Sequence, residues 1–434
     1  MRSPGQDLVP QPPLGGGSSF TQGLANYLNN IRRFSRNARL YLAYSLTEGL
    51  GTGIWMVMFN LYLLSAGFDI KFVGLLVGID MLFHGLFAFP AGLIGDRLGR
   101  RRTFFLATTM NITARVVTLL TLNPTALIIL TCFRGMGEGF HMVVGAPFMM
   151  ENSQPEERPH LFTINFSFQN LSRFVGFLAG GFLPLFWAGI LGVPNIDPEA
   201  GRWALITSLP LTFVSLIPLI MMREKPMELV ESIKDLVTLK NIVNFSILAK
   251  LGICSLLLGL SFGFMIRFFN IFFQEGKGAT IEQTATIMAI GSLGGATVIL
   301  LTPVLMQKWG KVRTLLITQL SSVPFIIFMV LTNNLYLVGF FFLMRGAFYS
   351  ISMPIRNQVA MELVTDKERA TTAGFSHMWF DLGGSFPALI AGGLMAGGNY
   401  IAPFSMAAGA SVAGAVLFYI FFFRIEERLG AVPA

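Results

Sequence analysis

Apolar residues fill this chain in long runs separated by short polar breaks, rather than in the amphipathic rhythm of a surface helix. A run of about 20 apolar residues is long enough, as helix, to cross a hydrocarbon layer of about 30 Å. Such runs recur at 40–65, 71–94, 103–121, 126–150, 161–188, 202–222, 246–273, 281–305, 314–332, 336–361, 371–396 and 401–423. The pattern predicts an all-α membrane protein of twelve transmembrane helices, arranged as two six-helix bundles at 39–222 and 246–423. A segment 1–38, a connecting loop 223–245 and a tail 424–434 complete the organisation.

The polar breaks fix an orientation. Basic residues crowd one set of loops: Arg32 to Arg39, Arg97 to Arg102, Lys225 to Lys240, Lys308 to Arg313, and Arg424 with Arg428. The opposite loops offer Lys71, Arg202 and Lys277. Basic loops stay in the cytoplasm, so both termini are expected there, with the protein multi-pass in the plasma or inner membrane. Residues 1–30 are rich in Pro, Gly and Ser and lack the apolar core of a signal peptide, which predicts a disordered cytoplasmic tail. The amphipathic stretch Met227 to Leu239 predicts an interfacial helix on the same face.

Composition agrees with this reading, at 53% hydrophobic and 12% charged residues. The net charge of +8 belongs to the basic loops, and no basic stripe with interleaved aromatics suggests a nucleic acid partner. Two cysteines in different halves, Cys132 and Cys254, give neither a disulfide framework nor a metal-binding spacing. No cofactor is expected.

The chain also repeats itself. Gly49, Leu50, Gly53, Phe59 and Asn60 match Gly259, Leu260, Gly263, Phe269 and Asn270 at an offset of 210. Gly99, Arg102 and Thr103 match Gly310, Arg313 and Thr314 at 211, as do Arg134-Gly135 with Arg345-Gly346 and Met150-Glu151 with Met361-Glu362. Two halves of six helices that begin on the same side are parallel repeats, related by an axis along the membrane normal, and a pathway is expected between them.

Between the second and third runs lies Gly92-Leu93-Ile94-Gly95-Asp96-Arg97-Leu98-Gly99-Arg100-Arg101-Arg102. This turn resembles the signature of the major facilitator superfamily, and the resemblance extends over nearly the whole chain beyond the first 35 residues. It implies a cavity lined by the first, fourth, seventh and tenth helices, and alternating access by rocking of the halves. It also implies that Asp96 contacts the start of the eleventh helix, near Thr371, and latches the cytoplasmic side, with Gly92, Gly95, Arg97, Gly99, Arg100 and Arg102 shaping the turn. A carboxylate at a helix N-terminus contributes about 0.3–1 kcal/mol. The second copy carries Gln307 in place of Asp96, so the latch is one-sided.

Charges within the runs cost about 2.5–3.5 kcal/mol each at a helix centre, and should therefore face protein or water. Arg134 and Glu138, four apart, predict a pair on the fourth helix; the family's fourth-helix signature places an Arg near Arg134 and links it to proton movement. Arg345 and Asp381 reach similar depth, predicting a second pair that a proton on Asp381 would break. Glu48 has Leu258 as its repeat counterpart and Arg173 as its candidate partner. Asp80, His84 and Arg115 read as structural packing of the second and third helices. Asn60, Arg267 and Asn270 are candidate cavity residues.

Together these features predict a monomeric secondary transporter, without enzyme activity, that moves a small-molecule substrate with protons through the lipid bilayer. Efflux of amphipathic or drug-like compounds is one form this could take, given 42 Phe and 22 Met that could line an adaptable cavity. The family's antiporter glycine motif is incomplete, because Phe177 stands where its Pro would be. The alternative is a non-transporting membrane receptor or scaffold with the same fold, against which the retained intramembrane charges argue.

Overall fold

The computed structural model describes residues 34–154, 157–195, 197–223, 245–364 and 369–430, without the side chains at 89, 92, 93, 96, 97, 159, 300, 369–371 and 425–430. The expected tail 1–30 and interfacial helix 227–239 lie outside these residues. The helices are α1 Arg36–Ser65, α2 Ile70–Leu98, α3 Arg100–Leu120, α4 Pro124–Glu151, α5 Arg158–Leu191 and α6 Pro198–Met221. The second half has α7 Phe245–Met265, α8 Ile281–Val298 continued by Thr302–Trp309, α9 Lys311–Leu331, α10 Leu335–Glu362, α11 Arg369–Ala396 and α12 Ile401–Gly430.

Helix starts follow local chemistry. Ser35, Asp69, Asn123, Asp197 and Asn334 each accept a hydrogen bond from a first-turn N–H, relieving donors that lack an intrahelical partner. Thr280 and Gln283 form a reciprocal capping box. Among the described residues, nine helices are long and apolar enough to cross a membrane, or ten with the bent α8 pair counted once. Helices α1 and α11 are as long, at 30 and 28 residues, but their polar and charged residues dilute their apolarity.

Two expected spans are interrupted. The run 246–273 leaves α-geometry at Met265 and proceeds through a 3₁₀ turn at Ile266–Phe268 and a π turn at Phe272–Gly276. Here the Asn270 carboxamide accepts from the Ile271 N–H, a local side-chain bond that competes with the regular ladder. In α8 a 3₁₀ turn at Ile299–Leu301 precedes Pro303. The last helix runs to Gly430, past its expected end at 423.

Packing obeys the repeat. Within the first half α1 packs on α5 and α6, α2 on α4, and α3 on α4 and α6; within the second α7 packs on α11 and α12, α8 on α10, and α9 on α10 and α12. Each pair becomes its counterpart by adding six. The halves meet along α2 with α11 and along α5 with α8, which are again counterparts. At the α2–α11 seam a Cβ on Gly74 would lie 2.7 Å from the Gly392 Cα, so only glycine permits this approach. Its repeat image is Gly181 against Ala285 on α5 and α8.

The apolar core shows which end is shut. One buried cluster, including Trp55, Met58, Leu61, Phe268, Phe272, Ala285 and Ala391, joins both halves at the end away from the chain termini. At the terminus-bearing end the clusters split, one around Tyr41, Phe104 and Phe148, the other around Leu251, Ile355 and Phe418. Among the described residues α4 and α10 do not pack closely on each other.

Candidate functional site

Asn60 of α1 donates to the Asn270 carboxamide at 3.2 Å and to the Arg267 carbonyl at 3.0 Å. Asn270 donates in turn to the Val57 carbonyl at 2.9 Å. These two asparagines are repeat mates, and a residue that touches its own repeat mate must lie on the pseudo-twofold axis. They tie the two halves together near the far end. Beneath them a cavity of about 60 Å³ is lined by both, with Trp55, Asp80, Arg134, Arg267 and Met288. The three residues expected in the cavity, Asn60, Arg267 and Asn270, thus line it together.

The charges pair differently from the helical-spacing expectation. Arg134 meets Asp80 of α2 at 2.9 Å, not Glu138 on its own helix. The approach depends on Gly135, where a Cβ would lie 2.6 Å from the Asp80 carbonyl oxygen. Arg267 of the second half reaches the other Asp80 oxygen at 4.0 Å. Asp80 is therefore shared between the halves rather than reserved for packing of α2 on α3.

Asp381 likewise does not meet Arg345. Its Oδ1 lies 3.4 Å from His84 Nδ1 on α2, within the glycine-lined seam, where Gly85 leaves room for the Asp381 Cβ. His84 Nε2 and Asp381 Oδ2 are buried without hydrogen-bond partners. Arg345 is instead 7% exposed and lies over the rings of Phe269 and Tyr349 at 5.4 and 4.9 Å. Equal depth along two helices brings charges together only when both also point to the same seam. Asp80 and His84, read from the sequence as packing residues of α2 and α3, meet partners in the second half, Arg267 and Asp381.

A second polar cavity, of about 100 Å³, lies within the first half and is lined by Tyr44, Glu48, Thr52, Asn111, Glu138, His141, Gln169 and Arg173. Glu48 pairs with Arg115 of α3 at 3.2 Å, not with Arg173, and Thr52 joins both side chains, at 2.9 Å to Glu48 and 3.0 Å from Arg115. Arg115 is 1% exposed and also stacks over Trp55 at 5.5 Å. Glu138 and Arg173 share this cavity. In the second half Arg356 donates to Gln319 at 3.3 Å and lies over Phe418.

The signature turn is duplicated in geometry as well as sequence. Gly99 has φ 91° and Gly310 φ 79°, backbone that favours glycine. Thr103 and Thr314 donate to the carbonyls of those glycines. Arg100 pairs with Glu151 at 3.2 Å, and their repeat mates Lys311 and Glu362 pair at 2.6 Å. Arg102 lies in the first turn of α3, and a Cβ on Gly95 would approach the Arg100 guanidinium at 3.1 Å. The latch itself falls outside the described side chains, because Gly92, Asp96, Arg97 and Thr371 are among those left out.

The chain matches the family model of the Major Facilitator Superfamily over residues 40–387. No curated protein matches it in sequence. Among solved structures, the nucleoside transporter NupG superposes with a TM-score of 0.70 at 14% identity, covering 89% of this chain and 99% of that one. A D-xylose–proton symporter gives 0.69 at 13% identity, covering 91% and 98%. A bacterial homologue of the human lysosomal transporter Spinster, in an inward-facing and unoccupied conformation, gives 0.64 at 16% identity, covering 95% and 98%. At these identities the likeness speaks for the fold, and the family match carries the assignment. With its duplicated signature turn, its paired halves and a match spanning most of its length, the chain belongs to the major facilitator superfamily and is a multi-pass membrane transporter, not an enzyme.

Proposed function

We propose that this protein is a proton-coupled secondary transporter of a small organic solute, working by rocking of two six-helix bundles, 39–222 and 246–423, about an axis in the membrane plane near the Asn60–Asn270 contact. The twelve-helix topology with both termini in the cytoplasm rests on the basic loops. In that topology the joined core faces outward and the separate cores of the two halves face inward. The turn around Asp96 is the proposed latch that holds the inner side when it closes.

One observation carries the coupling: a titratable pair, His84 and Asp381 at 3.4 Å, bridges the two halves. With His84 neutral the pair carries one negative charge; with His84 protonated it is a compact ion pair. Uptake of one proton therefore strengthens the link between α2 and α11, and a proton on Asp381 as well removes the attraction. The neighbouring Asp80, with Arg134 and Arg267, ties the same seam to the cavity. The structural resemblance to a D-xylose–proton symporter and a nucleoside transporter supports a small polar organic solute and a proton as co-substrate.

The test uses proteoliposomes and a radiolabelled solute selected by stabilisation of the purified protein. An imposed pH gradient should drive accumulation by the wild type and fail to do so for Asp381→Asn, while gradient-independent exchange persists. Equal accumulation with and without the gradient would contradict the coupling. A scaffold that keeps the fold without transport would give no exchange at all.

A further inference from the structure

The repeat exposes an imbalance. Arg134 and Arg345 are mates at an offset of 211, but only the first has an acid: Asp80, at 2.9 Å. The counterpart of Asp80 in the second half is Gly291, where any side chain would run into Phe342. Arg345 consequently has no carboxylate partner among the described residues. It is held between the aromatic faces of Phe269 and Tyr349, and its Nε is buried without a hydrogen bond.

Its position in the repeat is that of the counterpart of a cavity residue. The pseudo-twofold axis that runs through Asn60 and Asn270 relates Arg345 to Arg134, which lines the central cavity. Phe269, one of its two rings, directly precedes the axial Asn270. Helix α10, which carries Arg345, is the repeat counterpart of α4, which carries Arg134. A buried arginine keeps its charge under all ordinary conditions, and an uncompensated one within a membrane marks a place where a counter-charge arrives.

We propose that Arg345 is the anchor for a monovalent oxyanion on the transported solute, a carboxylate or sulfonate attached to an apolar or aromatic body. The planar guanidinium offers parallel donors to such a group, while the rings of Phe269 and Tyr349 hold the fork in place and present apolar surface to the rest of the molecule. A single arginine matches one negative charge, so a phosphate dianion is a poorer fit. This substrate class rests on the transporter reading above and deepens it.

The experiment measures binding to purified full-length protein by thermal stabilisation, with matched probes: benzoate, phenylacetate and benzenesulfonate against benzamide, phenylacetamide and benzenesulfonamide, and inorganic phosphate alone. Wild type should prefer the anion in each matched set. Arg345→Gln should bind the anions roughly ten- to a hundredfold more weakly, the loss expected for one charge-assisted contact, and leave the neutral probes unchanged. Arg345→Lys should keep the anion preference in part, as a point charge lacking the fork. A merely structural arginine would give variants that unfold more easily but retain the wild-type preference, which would overturn the assignment; so would the absence of any anion preference in the wild type. Preferential binding of phosphate would also overturn it. Spin-label distances between the halves, read without any solute, separate this failure from that of the transporter reading: halves that move while the anions show no advantage refute Arg345 alone.

Discussion

At the scale of single residues, the site is organised by which charges have partners. Asp80 and Arg134 form an ion pair with side chains 5% and 18% exposed, and removing the acid leaves Arg134 without compensation in a largely apolar setting. Asp80→Asn should therefore destabilise the protein by about 1–3 kcal/mol, and the double variant Asp80→Asn with Arg134→Gln should recover much of that loss; thermal unfolding in detergent, arranged as a double-mutant cycle, reads it. Additive losses would show that the pair contributes no coupling. Most of these residues were legible in the sequence as costly intramembrane charges, but their partners were not. Spacing of four along α4 suggested Arg134 with Glu138, and equal depth suggested Arg345 with Asp381. Both expectations measure position along a helix. The true partners, Asp80 and His84, come from α2, and the rotation that presents them is set by glycine contacts between helices.

At the scale of elements, close backbone approach decides where charges meet. The α2–α11 seam that holds His84 against Asp381 exists because Gly74 and Gly392 lack side chains; small residues are the usual means by which membrane helices come near one another. Gly74→Ala should cost about 1–3 kcal/mol through overpacking, whereas Gly393→Ala, with nothing within 4 Å of its added carbon, should leave thermal stability unchanged. Equal effects at the two positions would remove the seam argument. The duplication was readable from Gly99, Arg102 and Thr103 against Gly310, Arg313 and Thr314, and the structure extends it to the Arg100–Glu151 and Lys311–Glu362 pairs. The breaks in α7 and α8 were not readable from apolarity, because an uninterrupted apolar run is compatible with local 3₁₀ and π turns once neighbouring helices satisfy the backbone. In α7 the Asn270 side chain accepts from the Ile271 N–H within the broken segment and donates to the Val57 carbonyl of the other half.

At the scale of the whole molecule, one apolar core spans both halves at the far end, while separate cores serve each half at the terminus-bearing end. The Asn60–Asn270 contact sits at the hinge between these regimes, on the axis that relates the repeats. In the proposed mechanism, rocking about a perpendicular axis in the membrane plane exchanges which end is joined. In that proposal the seams α2–α11 and α5–α8 are the surfaces that slide, and the His84–Asp381 pair is where a proton would bias the exchange. The most direct test places spin labels on the protein in lipid nanodiscs, after replacement of Cys132 and Cys254 by serine. One pair joins Met150 to Leu363 at the terminus-bearing end, and the other joins Ala66 to Gly278 at the far end. The account predicts opposite changes across a pH titration, one distance lengthening as the other shortens, with both changes suppressed in His84→Gln. Distances that stay fixed, or that lengthen and shorten together, would contradict it.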